Sequence, residues 1–98
     1  MHDKINFKEA KRRAIEALRN KTYQVAQRRE IDTKNLLSNN TVSEADIIDV
    51  IEKCRGQDHE MRSHDTIKTV AVHILRKDGW YIKFYFIDPD TFFLSVHR

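Results

Sequence analysis

Two runs near the C-terminus decide the fold class: WYIKFYF at residues 80–86 and FFLSVHR at residues 92–98. Successive side chains of a strand point to opposite faces of its sheet. One face therefore collects apolar side chains, from Trp80, Ile82, Phe84, Phe86, Phe92, Leu94 and Val96. The other face collects Tyr81, Lys83, Tyr85, Phe93, Ser95 and His97. A third run at residues 66–75 repeats the split, with His73 on the polar face and three residues on the apolar one: Val70, Val72 and Ile74.

The three runs predict an antiparallel meander with turns at residues 77–79 and 88–91, where glycine and proline occupy favourable turn positions. A three-residue first turn would pair Arg76 with Trp80 and place His73 opposite Lys83. In the second hairpin, pairing Phe86 with Phe92 places Tyr81 opposite His97. Pairing Phe84 with Val96 instead places Lys83 opposite His97. Both registers bring together three polar side chains: Tyr81, Lys83 and His97.

The N-terminal half predicts helices. Residues 6–20 carry an apolar stripe at helical spacing, with Asn6 as the cap and Glu9 in the reciprocal capping position. The pattern at residues 44–55 predicts a second helix, capped by Ser43 and ended by Gly56. A short edge strand at 22–27, a short helix at 33–37 and a polar loop at 57–65 complete the prediction. The expected fold is a single α+β domain over residues 1–98, with N-terminal helices on a small antiparallel sheet that ends in a three-stranded meander.

Charge divides the chain unevenly. The net charge is +3, but residues 1–30 hold nine Lys or Arg against four acids (+5), and residues 31–98 hold nine against eleven (−2). The basic segment predicts contacts to nucleic acid through Lys8, Lys11, Arg12, Arg28 and Arg29, or simply a solvated helix face. No apolar stretch has the length of a membrane span, and the N-terminus lacks signal-peptide character. With a single cysteine, Cys54, a cytoplasmic location is expected.

The polar face has the groups that metal-free RNA cleavage needs. Two histidines can act as general base and general acid, and lysine and tyrosine can stabilise negative charge on a phosphoryl oxygen. Aromatic rings can stack an unpaired base. The alternative is a solvent-facing polar surface. A metal site is not expected, because His59 and His64 are five residues apart and would not share a helix face, although a loop could gather them with Asp65. No cofactor is expected.

Several segments resemble a known family. They are His59-Glu60-Met61, Ser63-His64-Asp65-Thr66-Ile67, Tyr81-Ile82-Lys83 and Ser95-Val96-His97. In order and length they resemble the MqsR-type (motility quorum-sensing regulator) toxins of bacterial toxin–antitoxin pairs, which are related in fold to the RelE toxins. The resemblance implies a RelE-like fold, ribosome-independent cutting of messenger RNA, and a cognate antitoxin protein. By position, it assigns the cutting residues to His59, Tyr81 and His97. Histidines stand here for two lysines of the family, and Lys68-Thr69 stands for its Trp-Gln pair.

The leading hypothesis is therefore a small toxin that cuts single-stranded mRNA without a metal. His59 and His97 would form the acid–base pair, Tyr81 and Lys83 would hold the phosphate, and His73 is a further catalytic candidate. The alternative hypothesis is a non-catalytic protein-binding module, such as an immunity protein, an inhibitor or an adaptor, that uses the same sheet face. A third hypothesis is a nucleic-acid binder that does not cleave. No membrane partner is expected, and the sequence leaves the oligomeric state open.

Overall fold

The computed structural model describes residues 5–25, 42–87 and 89–98. Within them the fold is α+β, with two α-helices and a five-stranded mixed sheet. A single 3₁₀ turn, Gly56–Asp58, follows the second helix. In chain order the elements are α1 (Phe7–Asn20), β1 (Tyr23–Val25), α2 (Glu44–Lys53), β2 (His59–Ser63), β3 (Ala71–Lys77), β4 (Trp80–Ile87) and β5 (Asp90–His97). The predicted helix at 33–37 lies outside the described residues.

Helix α1 begins where its capping signal predicts. The side chain of Asn6 accepts a hydrogen bond of 2.9 Å from the backbone N–H of Glu9, which satisfies one of the free donors at the helix start. The helix buries the predicted stripe against the sheet: Ala10, Ala14 and Leu18 are fully buried. The prediction for residues 6–20 is confirmed.

Helix α2 also begins as predicted but ends earlier. Ser43 and Asp46 form a reciprocal capping box. The helix ends at Lys53, with Cys54 in an extended conformation, so the predicted stop at Gly56 is wrong. The ammonium group of Lys11 donates to the carbonyl oxygens of Glu52 and Cys54 at 2.8 and 3.0 Å. These bonds satisfy two carbonyls at the helix end, so the helix needs no glycine there.

The strand order is β1-β5-β4-β3-β2, with β1 parallel to β5 and all other neighbours antiparallel. The edge strand predicted at 22–27 is found as β1 at Tyr23–Val25, and residues 26 and 27 lie outside the described residues. Residues 59–63, predicted to lie in a polar loop, instead form the opposite edge strand β2, paired along β3. The loop prediction failed because an edge strand can be polar on both faces and then shows no apolar alternation.

The turn between β3 and β4 contains two residues, not the three predicted. Lys77 pairs with Trp80, and both turn residues have positive φ, 52° at Asp78 and 83° at Gly79. This conformation is typical of the two-residue type I′ hairpin. The one-residue difference turns β3 over relative to β4. His73 therefore lies opposite Phe84 and not opposite Lys83.

A bulge in β5 also changes which of its side chains point toward the helices. Lys83 pairs with Ser95 but the next residue, Phe84, pairs with Phe93, so Leu94 is the extra residue. Beyond the bulge the faces are exchanged relative to simple alternation. Phe93 consequently points into the core, and Phe92 points to the other side, where it stacks on Tyr85. The sequence had predicted Phe92 on the apolar face and Phe93 on the polar face.

Both faces of the sheet carry apolar side chains. The helix face, defined as the face against α1 and α2, contributes Leu75, Ile82, Phe84, Phe93 and Val96 to the main core. The far face, defined as the opposite one, has a smaller buried cluster of Val72, Ile74 and Tyr85. The predicted division into one apolar and one polar face is therefore wrong for β3, since Val72 and Ile74 lie on the far face. Neither described helix is long and apolar enough to cross a membrane.

Candidate functional site

A cluster of polar side chains lies on the far face, where β4 and β5 pair. Tyr81 lies directly opposite His97, as the first of the two predicted registers required. Their rings stack with centroids 5.2 Å apart and an interplanar angle of 21°. The predicted partner pairing of Phe86 with Phe92 is wrong, because the bulge moves Phe86 opposite Thr91. The register before the bulge nevertheless preserves the Tyr81–His97 contact.

Arg76 extends this pair onto the neighbouring strand. It lies opposite Tyr81 in β3, with its guanidinium carbon 5.3 Å from the centre of the Tyr81 ring. Arg76, Tyr81 and His97 thus form a continuous row across three strands, which we call the Arg76–Tyr81–His97 row. The sequence reasoning missed Arg76 because the three-residue turn paired it with Trp80. The signal that identifies Arg76 is the Asp78-Gly79 turn, since a two-residue turn pairs Arg76 with Tyr81.

Glu60 of β2 holds the arginine end of the row. Its carboxylate accepts a hydrogen bond from Arg76 Nη1 and another from Arg62 Nε, each at 2.6 Å. These hydrogen bonds lower the pKa of the Glu60 carboxyl, with the bond from Arg76 contributing most. The carboxylate therefore remains charged and orients both guanidinium groups. Because these pairs are exposed, their role is orientation more than stability.

Lys83 lies on the same face, two residues along β4 from Tyr81 and opposite Ser95. Alternate residues of a strand are about 7 Å apart, so the Lys83 side chain can reach a phosphate bound beside the row. The structure thus brings together three of the predicted catalytic residues, Tyr81, Lys83 and His97, and adds Arg76.

The other two predicted catalytic residues lie on the helix face. His59 Nε2 and His73 Nδ1 are 2.9 Å apart, and the Phe7 ring of α1 lies 5.3 Å from the His59 ring. Burial lowers the pKa of both histidines. Burial and the neighbouring His59 together lower the pKa of His73 to about 4. The pair is therefore neutral near pH 7, with one nitrogen donating and the other accepting.

This position corrects the predicted acid–base pair. His59 and His97 project from opposite faces of the sheet, so one substrate cannot contact both. His73 is 1% exposed and belongs to the core side, not to the polar face beside Lys83. The prediction failed because it assigned His73 by alternation from Val72 and Ile74, which are themselves on the far face.

A further histidine, His64, lies on the far face but away from the row. Its Nδ1 accepts hydrogen bonds of 3.1 Å from the backbone N–H groups of Thr66 and Ile67, so its proton is on Nε2. Its ring contacts Tyr85 edge-on at 4.8 Å. Tyr85 is four residues from Tyr81 along β4, about 13 Å, so His64 and His97 do not form a pair. His64 orders the loop after β2 instead.

The arrangement of histidines bears on the metal alternative. His59 projects from the helix face and His64 from the far face, so the loop cluster that this alternative required is not formed. In the described residues, no three His, Cys, Asp or Glu side chains are grouped in a way that could hold a metal ion.

The predicted nucleic-acid contacts on α1 are mostly engaged within the protein. Lys11 binds the carbonyls at the end of α2. Arg12 forms ion pairs with Glu9 at 2.7 Å and Glu16 at 3.7 Å. Lys8 is exposed on α1. The remaining two predicted residues, Arg28 and Arg29, lie outside the described residues.

Comparison of the chain with protein-family models, with curated proteins and with solved structures found no match.

Proposed function

We propose that this protein is a metal-independent endoribonuclease that cuts single-stranded RNA at the Arg76–Tyr81–His97 row. The observation that supports the proposal is the stacking of a partly exposed imidazole on a phenol ring that a guanidinium also contacts. A proton acceptor, a hydroxyl and a cation held by Glu60 thus share one accessible face of the sheet.

The chemistry assigns a role to each side chain. His97 accepts the proton of an RNA 2′-hydroxyl, whose oxygen forms a bond to the adjacent phosphorus. The bond from phosphorus to the 5′-oxygen breaks, and that oxygen takes a proton from water, leaving 2′,3′-cyclic phosphate and 5′-hydroxyl ends. Arg76 and Lys83 stabilise the charge that develops on the phosphoryl oxygens. The hydroxyl of Tyr81 donates a hydrogen bond to the same phosphate.

The row also suits unpaired bases. Tyr81 is flanked by Arg76 and His97, so a base would stack at an end of the row, on the guanidinium or on the imidazole. Stacking on an aromatic or guanidinium plane is the usual way in which proteins hold single-stranded RNA. Because every base has such a plane, this contact favours single strands over duplex without selecting a sequence.

The test is cleavage of a mixed-sequence single-stranded RNA in excess EDTA. The native protein should produce 2′,3′-cyclic phosphate ends, and His97→Gln should abolish the activity. The matched control is His59→Gln, which alters an imidazole on the helix face and should still cleave. Intact RNA with native protein would refute the nuclease proposal. Loss of cleavage in the His59 variant alone, with its fold intact, would move the site to the helix face.

The resemblance to MqsR-type toxins supports the broader proposal that the protein is the toxin of a toxin–antitoxin pair with a RelE-like fold. Expression of the native protein alone should stop growth, and His97→Gln should relieve this effect. A cognate antitoxin, encoded beside the toxin, should restore growth of cells that express the native protein. If growth is equally poor with the native protein and with His97→Gln, the toxicity does not come from the proposed cleavage.

A protein-binding module is the second candidate function, and one observation favours it. Glu60 already engages both Arg62 and Arg76, which reduces the positive charge that these residues offer to RNA. Two large apolar side chains are also exposed nearby in sequence, Met61 at 45% and Ile67 at 40%. Methionine and arginine are both enriched at protein interfaces relative to the rest of a protein surface. Binding of a protein partner by a chain that leaves RNA intact would support this candidate.

A further inference from the structure

A cleft on the helix side of the molecule is unrelated to the Arg76–Tyr81–His97 row. It has a volume of about 540 Å³ and opens where α1, the end of α2 and the end of β3 meet. Its lining consists of six residues: Lys11, Glu52, Lys53, Cys54, Arg55 and Lys77. Four of the six are cations.

The acids close to the cleft do not cancel this charge. Three carboxylates lie in or near the lining, those of Glu52, Asp58 and Asp78, against four cations. Glu52 lies 3.9 Å from Arg19, outside the cleft. Asp58 accepts a hydrogen bond of 2.8 Å from the backbone N–H of Arg55 and lies 3.8 Å from Lys77. The Cys54 thiol is neutral, because burial raises its pKa to about 11.

The C-terminal end of a helix normally repels anions, but at the end of α2 this repulsion is offset. The carbonyl groups at the end of α2 carry partial negative charge. Lys11 covers two of them, those of Glu52 and Cys54, and its ammonium group still has a third N–H that these bonds do not use. Lys53 and Arg55 form no side-chain ion pair within the described residues. Both can therefore turn toward a bound anion.

We propose that this cleft binds the phosphates of a polyphosphate group. Lys53 and Arg55 provide mobile cations at its rim, and Lys11 and Lys77 provide cations held in place by their neighbours. None of the described residues that line the cleft is aromatic, so this lining contacts phosphates and offers no platform for a base. The 5′-triphosphate end of an RNA and a free inorganic polyphosphate share this chemistry. The site does not depend on cleavage at the row, since the two share no residue.

The test uses inorganic tripolyphosphate as the probe, titrated into the protein by calorimetry. The native protein should bind it, and Lys53→Gln/Arg55→Gln should weaken binding by about ten-fold. The matched control is Lys21→Gln/Lys68→Gln, which removes the same charge from residues outside the cleft. The control should change the affinity by less than about two-fold, because exposed charges at a distance are screened.

Two results would overturn the proposal. The first is no binding of tripolyphosphate by the native protein. The second is equal weakening in both double variants, which would mean a diffuse attraction by net charge. A competition arm identifies the source of the phosphates. If a 5′-triphosphate RNA displaces tripolyphosphate and the same RNA with a 5′-hydroxyl does not, the cleft binds RNA ends. If neither RNA displaces it, the ligand is a free polyphosphate.

Discussion

The buried His59–His73 pair should make the stability of the fold depend on pH. His73 has a pKa of about 4 in the folded protein, against 6.5 for an ordinary histidine. The unfolded chain therefore binds a proton more tightly, so stability is complete above about pH 6.5 and falls as the pH drops toward 4. His59 adds to this dependence in the same direction, since burial lowers its pKa as well.

The size of the effect follows from the shift. A difference of about 2.5 pKa units corresponds to about 3 kcal/mol of unfolding free energy, since one unit is about 1.4 kcal/mol. About 2 kcal/mol of this should already be lost between about pH 7.5 and pH 5. Protonation of both rings would place two positive charges where Nε2 and Nδ1 are now 2.9 Å apart. The loss is a substantial part of the stability of a domain of this size.

Denaturant unfolding measured across this pH range tests the prediction. His73→Phe keeps a ring beside Phe84 and Phe86 and should flatten the dependence. His97→Gln, on the far face, should leave it unchanged. Proton NMR of the native protein gives a second readout, because the His73 ring signal should not titrate above about pH 5. A His73 signal that titrates near 6.5, or an unchanged pH slope in His73→Phe, would refute the reasoning.

Three further predictions concern single contacts. Ser43→Ala removes the cap of α2 and should lower the free energy of unfolding by about 1 kcal/mol in urea titrations; an unchanged midpoint would contradict the capping role. Lys11→Met removes two charge-assisted bonds to the end of α2 and should cost about 1–3 kcal/mol, measured by thermal unfolding with Lys8→Met as the control. Tyr81→Phe keeps the stack but removes the hydroxyl, so RNA cleavage should fall less than in Tyr81→Ala; equal losses would show that stacking contributes nothing.

The helices could be predicted from the sequence because their signals are local. Asn6 and Ser43 are capping residues, and the apolar stripes of α1 and α2 have helical spacing. The structure places the helix starts within one residue of these signals. The pairing of Tyr81 with His97 was also accessible, since the register of the second hairpin is regular from that pair to Lys83.

The alternation of apolar residues could not predict which side chains of β3 face the helices. This strand carries buried side chains at both parities, because His73 and Leu75 face the helices while Val72 and Ile74 face the other way. A strand buried on both faces shows no period of two. The turn was the better guide: Asp78-Gly79 is a typical two-residue hairpin signal, and it fixes the register that alternation left open.

The bulge in β5 explains why Phe92 and Phe93 lie on the faces opposite to those predicted. Leu94 is an extra residue, and nothing in the run from Phe92 to Val96 distinguishes it from an ordinary strand residue. The pairing of Tyr81 with His97 was still predicted correctly, because the bulge lies beyond Ser95, on the side away from these two residues. The predicted pair of His59 and His97 failed for another reason: residues 59–63, predicted as part of a loop, form β2 and place His59 on the helix face beside His73.

The central claim is that a single histidine, His97, acts as the base for RNA cleavage, and the pH dependence of the cleavage rate tests it most directly. We would measure the rate in EDTA between about pH 6 and pH 9, where the fold keeps most of the stability that depends on His73. The rate should rise with pH to a plateau, because only a base is required, and His97→Gln should not cleave. A bell-shaped profile would require a second titrating group that acts as an acid. That result, or cleavage by His97→Gln, would contradict the account.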